Sequence, residues 1–217
     1  MIRLHHCAQA RSFRVLWLLE EMGLPFEVVQ HSFFDKSMRS PEFLALSPAG
    51  RVPALEVDGR VLFESGAIVE WLCETRGMFW AAPGTEERAE WLEWLHFSET
   101  AGQHLAALTQ QHIVLREDWM RSPTVMRLEA KRLSNVLAVA DRALEGREWL
   151  LRSGFSAVDI TLGYGAVLGA RFAALDGMAN VQAWVARMQA RPGYQRALAR
   201  DGVAEIYRRE FYPAPEV

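Results

Sequence analysis

Apolar residues change their spacing several times within the first 75 positions. Residues 2–7 are predicted to form a first strand, and apolar positions then recur at helical spacing over residues 15–22. Gly23-Leu24-Pro25 ends that helix, because glycine suits the position just after a helix and proline cannot continue one. Residues 26–29 form a second strand. The order strand, helix, strand predicts a parallel pair of strands joined by a crossover helix.

A hairpin pattern follows. Two short apolar runs flank Asp58-Gly59, which is the dipeptide expected at a two-residue hairpin turn. Val52-Pro53 precedes the first run and predicts a bend, with a cis bond as one option, because proline is rare inside paired strands. Ser65 is a candidate N-cap for a helix that runs to about Thr75. A helix N-terminus favours anions, and the bend leaves backbone groups free to pair with a ligand. Together they predict a small site that binds a peptide backbone and a carboxylate.

The pattern is helical throughout after residue 84. We predict a domain over residues 1–76, a linker with Pro83 over residues 77–84, and an all-α domain over residues 85–217. Ser156 and Asp159 match a helix-capping box, to which we assign a structural role. The predicted helices of the second part span residues 86–116, 123–144, 157–168, 178–189 and 192–204.

Composition narrows the function classes. Half of the 217 residues are apolar, which is enough for a sizeable core, and the formal charge of −3 offers no electrostatic case for binding nucleic acid or an anionic membrane. Two cysteines, Cys7 and Cys73, are too few for a disulfide framework and fit a reducing compartment. The start lacks a signal-peptide pattern, and no apolar run approaches membrane-spanning length. We therefore predict a cytoplasmic protein.

Histidines offer no convincing metal site in the sequence. His5 and His6 are adjacent on a strand and point to opposite faces. His96, His104 and His112 recur every eight residues of one helix, so neighbours are separated by about 12 Å along its axis, too far for one ion. No metal is predicted.

Val52-Pro53 before a strand and Glu64-Ser65 at the start of the next helix, in this order, resemble the glutathione transferase family. The resemblance implies an α/β thioredoxin-like N-terminal domain of βαβ-ββα order, a C-terminal all-helical bundle domain and a homodimer. It implies that Glu64 binds the α-amino group of glutathione, Ser65 its γ-glutamyl carboxylate, and Val52, beside Pro53, its cysteinyl backbone. Arg51 would meet the glycyl carboxylate or the nearby backbone.

The resemblance also implies a thiolate reaction. A free thiol titrates at about 8.5, so the protein must stabilise the anion with hydrogen-bond donors or a cation. In the family that donor comes from the loop between the first strand and first helix. A bacterial and fungal subgroup with a Ser-Arg-Ser loop looks closest, but here Ala10 replaces the first serine. The candidates that remain are Ser12, through its side chain or backbone N–H, and the Arg11 guanidinium.

The resulting hypothesis is a transferase that conjugates reduced glutathione, its co-substrate, to a small hydrophobic electrophile. Two alternatives stay open. One is glutathione-dependent reduction of peroxides or disulfides, in which Cys7 could take part. The other is a transferase-like binding protein without catalytic activity, suggested by the serine missing at Ala10.

Overall fold

A computed structural model describes residues 1–215. Within that part the strands and α-helices, in chain order, are β1 (Ile2–His6), α1 (Ser12–Met22), β2 (Phe26–Gln30), α2 (Pro41–Leu46), β3 (Ala54–Val57), β4 (Arg60–Phe63), α3 (Ser65–Arg76), α4 (Arg88–Thr109), α5 (Pro123–Ala143), α6 (Ala157–Gly169), α7 (Ala179–Gln189) and α8 (Pro192–Asp201). None of these helices is long and apolar enough to cross a membrane.

The chain forms two compact units. The first consists of Met1–Ala82 together with Gln189–Ile206, and the second of Pro83–Met188 together with the segment from Tyr207 onward. The sequence places residues 189–206 in the C-terminal domain, whereas the structure groups them with the N-terminal unit. The sequence pattern shows that this segment is helical but not which surface the helix packs against. Residues 216 and 217, the end of the predicted second domain, lie outside the described part.

The first unit is built on a sheet of order β2-β1-β3-β4. β1 and β2 are parallel, as predicted, and β3 pairs antiparallel with both β1 and β4. This arrangement confirms the thioredoxin-like fold. Apolar side chains from the sheet and from two helices form its core; fully buried members include Leu4, Leu55, Val15, Leu16, Ile68 and Leu72.

Two local predictions in this unit are confirmed. Asp58 and Gly59 both have positive φ, 50° and 75°, as a type I′ hairpin turn requires. The Val52–Pro53 peptide bond is cis. The hairpin and the bend before it therefore lie where the sequence places them.

α8 belongs to the first unit through contacts with α1. Arg191 forms an ion pair of 2.8 Å with Glu21, and Arg196 forms one of 3.0 Å with Glu20. The Tyr194 ring meets Trp17 edge-on, with ring centroids 5.0 Å apart. The last helix thus covers the apolar face of α1.

The second unit is helical, as predicted, with α4 packed on α5 and α6. Gly165 of α6 faces α4 at an ordinary van der Waals distance, since a Cβ there would lie 3.5 Å from the Cβ of Ala101. Asp159 is fully buried and accepts hydrogen bonds from the backbone N–H of Ser156 at 2.9 Å and of Leu150 at 3.0 Å. These contacts agree with a structural role for the predicted capping pair.

One helix ends earlier than predicted. The pattern indicates a helix to residue 116, but α4 ends at Thr109 and the chain continues as a π-helical turn over Gln110–Val114. Over five residues, the spacing of apolar positions is the same for a π-helical turn as for an α-helix. Hydrophobic periodicity therefore does not distinguish a π-helical turn from a continued α-helix.

Candidate functional site

The hairpin brings the two sequence motifs to one end of the sheet. Ala54, the first residue of β3, pairs with Phe63, the last residue of β4. Val52-Pro53 leads directly into this pair and Glu64-Ser65 leads directly out of it. Two dipeptides separated in sequence by residues 54–63 therefore flank the same end of one antiparallel ladder.

Glu64 holds an unusual backbone conformation at this point. Its φ of 70° and ψ of 115° lie in a region that residues with a side chain rarely adopt. It occupies the cap position of α3, without a side-chain capping bond, and Ser65 is the first helical residue. The prediction that Ser65 is the N-cap is thus wrong by one position. Because Glu64 is exposed, its carboxylate stands at the surface beside the helix start.

Ser65 is buried and contacts an arginine that the sequence analysis did not select. Its side-chain oxygen accepts a hydrogen bond of 3.3 Å from Nη1 of Arg14. Arg14 lies on α1 and is fully buried. A helix N-terminus, a hydroxyl and a buried guanidinium together favour an anionic group. A cation between the apolar neighbours Phe13 and Val15 is the signal that could have identified Arg14.

Arg51 lies in a tight loop just before the cis bond. Oγ of Ser47 donates to the backbone oxygen of Arg51 at 2.7 Å, and this contact fixes the loop. Gly50 has a φ of 61°, and a Cβ there would come within 2.8 Å of Nη1 of Arg39. Arg51 and Arg39 are both exposed, so cations border this loop where an anionic ligand group could reach them.

The loop between β1 and α1 holds the predicted catalytic residues. Ser12 is fully buried, and its Oγ accepts from the backbone N–H of Cys7 and donates to its carbonyl oxygen, each at 3.3 Å. The serine hydroxyl therefore closes the loop onto itself. Arg11 is half-buried at the cap position of α1. The two predicted catalytic residues therefore differ in their surroundings, since the Ser12 hydroxyl bonds to the Cys7 backbone and Arg11 lies at the start of the helix.

Cys7 is poorly suited to nucleophilic chemistry. Its side chain is fully buried, and its Sγ lies 3.7 Å from Sδ of Met38. Burial raises the pKa of the Cys7 thiol to about 12, and the carboxylates of Glu205 and Asp35 add to the rise. Because the thiolate is the reactive form, this cysteine stays inert near neutral pH.

Among residues 1–215, no group of three His, Cys, Asp or Glu could hold a metal ion, and His5, His31 and His104 form hydrogen bonds with other side chains. Nδ1 of His5 lies 2.9 Å from Nε2 of His31, and Nε2 of His5 lies 3.1 Å from Oε1 of Glu56. In the second unit, Nδ1 of His104 pairs with the Glu129 carboxylate at 2.6 Å.

Comparison with known proteins agrees with this geometry. The family described as glutathione S-transferase, N-terminal domain, matches residues 10–75. A glutathione S-transferase of Silene vulgaris is 32% identical, over 86% of this chain and 91% of its own. The disulfide-bond oxidoreductase YfcG of Escherichia coli is 31% identical, over 74% and 76%.

A solved structure is also similar. The glutathione transferase of Burkholderia graminis, crystallised with two glutathione molecules per subunit, superposes with a TM-score of 0.82. Its sequence is 27% identical, and the match covers 91% of this chain and 87% of that one. The matches cover both units of the chain, and the chain therefore belongs to the glutathione S-transferase family of enzymes.

Proposed function

We propose that this protein binds reduced glutathione at the end of the β3–β4 hairpin and conjugates it to a small hydrophobic electrophile. The observation that supports the proposal is the meeting of Val52-Pro53 with Glu64-Ser65 at the Ala54–Phe63 pair. Similar proteins support the choice of ligand, since the Burkholderia graminis enzyme was crystallised with glutathione.

Each group of glutathione has a complementary protein group at this end of the sheet. The carboxylate of Glu64 binds the α-amino group, and the start of α3 with Ser65 binds the γ-glutamyl carboxylate, next to the buried Arg14. The backbone of Val52, bent by Pro53, pairs with the cysteinyl unit. Arg51 attracts the glycyl carboxylate.

The chemical step is a nucleophilic attack by the glutathione sulfur. The thiol loses its proton to solvent, the thiolate forms a carbon–sulfur bond, and the electrophile either expels a leaving group with its electron pair or takes up a proton. Because no proton acceptor is needed on the protein, the residues have only to stabilise the anion. We assign this role to Arg11 first, because its guanidinium is a permanent cation that favours the charged form of the thiol, and to Ser12 second, since its hydroxyl bonds to the Cys7 backbone.

The thiolate absorbance of bound glutathione, recorded in the ultraviolet across pH, tests this proposal. In the wild type we expect the bound thiol to titrate at least one pH unit below its free value of about 8.5. Arg11→Ala should abolish the shift, whereas Ser12→Ala should retain most of it. Binding without any shift would instead favour a carrier protein.

Ser65→Ala tests the binding site separately. Loss of a hydrogen bond to a charged group should weaken glutathione affinity about tenfold or more. Ser122→Ala is a matched control, because Ser122 also stands at a helix start, where its Oγ accepts from Val125 N at 3.3 Å. Equal affinities for the Ser65 variant and the wild type would place the carboxylate elsewhere.

Reduction of disulfides is a second candidate, favoured by the similarity to the disulfide-bond oxidoreductase YfcG. The bound glutathione thiolate would attack a disulfide sulfur and release one thiolate as a mixed disulfide forms. A second glutathione thiolate would then attack the mixed disulfide, so that two glutathione molecules supply the two electrons and leave as glutathione disulfide. Since Cys7 is buried, Cys7→Ser should leave this activity intact; its loss would assign the reaction to Cys7.

A homodimer in the cytoplasm completes the proposal. β4 is an edge strand, and its Val61 and Phe63 side chains are 44% and 48% exposed. An exposed apolar edge strand invites pairing or coverage by another chain. Sedimentation at twice the chain mass would support the dimer, and sedimentation at the chain mass would contradict it.

A further inference from the structure

A buried carboxylate at the end of α8 holds the loop that follows β1. Asp201 is only 6% exposed, and each of its two carboxylate oxygens lies 3.2 Å from the backbone nitrogen of Gln9. Gln9 lies in the β1–α1 loop, two residues before Arg11, and its φ of 60° is rare for a residue with a side chain. The carboxylate thus accepts the N–H of the residue with the least favourable backbone conformation in that loop.

His6 attaches to the same aspartate at the end of β1. Nε2 of His6 lies 3.0 Å from the Asp201 carbonyl oxygen and 3.1 Å from its Oδ1. Both neighbours are acceptors, so Nε2 carries the hydrogen. Nδ1 of this fully buried histidine has no hydrogen-bond partner among the described residues. Asp201 therefore contacts the chain both before and within the loop.

The backbone beyond Asp201 also approaches the loop closely. Gly202 has a φ of 99°, and a Cβ there would lie 3.1 Å from Nε2 of Gln30 and 3.7 Å from Cβ of Ala8. At the other end, the Ser12 hydroxyl closes the loop onto Cys7. Residues 7–12 are consequently fixed by a contact from nearly 200 positions later in the chain as well as by a local one.

We propose that Asp201 is a positioning residue for the thiolate-stabilising loop. By binding the Gln9 N–H it holds the backbone conformation in which Arg11 and the neighbouring N–H groups face the glutathione sulfur. This inference rests on the proposed function and deepens it. Asp201 acts through Gln9 rather than on the substrate.

A positioning role predicts a direction of change that a purely electrostatic role does not. A negative charge near the sulfur disfavours the thiolate, so removal of the charge alone would lower the pKa of the bound thiol. Removal of the hydrogen bond between Asp201 and Gln9, which positions the thiolate-stabilising donors of the loop, would raise the pKa of the bound thiol towards its free value. We expect the second effect, because a misplacement of about 1 Å can reduce a rate about a hundredfold.

The experiment measures the pKa of bound glutathione, its dissociation constant and the kcat with a chlorodinitrobenzene electrophile, in the full-length protein. Asp201→Ala should raise the bound-thiol pKa and lower kcat about tenfold or more, while the dissociation constant changes less than threefold. Asp201→Asn keeps an oxygen that can accept from Gln9, so it should restore kcat to near wild type and give a bound-thiol pKa no higher than that of the wild type. Asp141→Ala is the matched control, since the Asp141 carboxylate accepts from Val181 N at 3.0 Å in the second unit.

The possible outcomes separate this inference from the proposed function. A wild type that binds glutathione without a thiol shift would overturn the proposed function and this inference with it. A wild-type shift that persists in Asp201→Ala, or a bound-thiol pKa that falls there, would overturn this inference alone. If Asp201→Ala does not fold, Asp201→Glu is the test variant, because it keeps the carboxylate but displaces it by one methylene. An unchanged bound-thiol pKa in Asp201→Glu would overturn the positioning role.

Discussion

Glu64 combines an unfavourable backbone conformation with an exposed side chain at the start of α3. Its φ of 70° gives a conformation that costs about 1–3 kcal/mol for a residue other than glycine. Asp58 also has a positive φ, of 50°, but it lies in a hairpin turn that requires this conformation. Glu64 instead lies at a helix start, where a small capping residue is preferred. A strained residue at this place supports the proposed role of its carboxylate in binding glutathione.

Replacement by glycine should separate these two contributions. In Glu64→Gly the relief of strain should exceed the ~0.5–1 kcal/mol entropic cost of glycine, so we expect the free energy of unfolding to rise by about 1 kcal/mol. Glutathione affinity should fall about tenfold or more because the carboxylate is lost. Urea denaturation and calorimetric titration measure the two effects.

Glu64→Gln is the control for that change. It keeps the strained backbone and removes only the charge, so it should weaken binding without stabilising the fold. If the glycine variant bound glutathione as tightly as the wild type, Glu64 would have no part in the site.

Site residues could be predicted from sequence only where they lie in short motifs. Val52-Pro53 and Glu64-Ser65 flank one hairpin, and the cis bond and the register that joins them agree with the structure. Arg14 and Asp201 belong to no such motif. Their roles depend on contacts with Ser65 and Gln9, which are 51 and 192 positions away, and sequence spacing carries no information about such contacts.

Secondary-structure elements were predicted best where local chemistry marks both ends. α1 ends at Met22 and is followed by Gly23, whose φ of 64° is the left-handed conformation expected after a helix. α5 begins at Pro123 after the Ser122 cap. The end of α4 has no such residue. There the chain passes into a π-helical turn, and neither a glycine nor a proline marks the change.

Two glycines of α6 give a matched test at this scale. A Cβ at Gly163 would overlap Sδ of the fully buried Met188, whereas a Cβ at Gly165 would rest 3.5 Å from Ala101. Gly163→Ala should therefore lower the free energy of unfolding by about 1–2 kcal/mol, because overpacking outweighs the gain in helix propensity. Gly165→Ala should be neutral or stabilising by up to about 1 kcal/mol. Similar destabilisation by both alanines in thermal melts would contradict the packing of α6.

The first compact unit is discontinuous in sequence, which makes its folding depend on the end of the chain. The buried carboxylate of Glu20 in α1 forms ion pairs with Arg196 and Arg200 of α8. That of Glu21 forms an ion pair with Arg191, which directly precedes α8. A buried charge without its partner is strongly unfavourable. In the folded unit, residues 189–206 therefore supply cations for these two carboxylates as well as covering the apolar face of α1.

Truncation tests this dependence. A chain that ends at Met188 should lose the cooperative unfolding of the first unit and the near-ultraviolet circular dichroism of Trp17, which packs against Tyr194. A chain that ends at Ile206 retains α8 and should keep both signals. A native-like spectrum from the shorter chain would show that the first unit folds without α8.

A hydrogen-bond chain across the sheet of the first unit makes its stability depend on pH. His31 contacts the Ser37 hydroxyl at 3.1 Å and His5 at 2.9 Å, and His5 contacts Glu56 at 3.1 Å. Burial lowers the pKa of His31, and the nearby His5 lowers it further against a smaller opposing effect of Asp35. The pKa of Glu56 is lowered by its hydrogen bond to His5, with help from Arg3 and against partial burial. Protonation therefore disfavours the folded state at both sites.

The sign of the pH effect follows from these directions. In the unfolded chain His31 takes up a proton near its ordinary pKa of about 6.5, whereas in the folded chain it does so only at a lower pH. The stability that neutral His31 provides is therefore complete above about pH 6.5. It is lost as the pH falls from there towards the lower pKa of the folded state. Glu56 adds a further loss below about pH 4.5. His31→Gln keeps a donor for His5 but does not titrate, so its free energy of unfolding should fall less than that of the wild type between pH 8 and pH 5.5. The difference between the two proteins at pH 8 corrects for the contacts that the substitution removes. Equal losses in the two proteins would show that His31 is not the group that titrates.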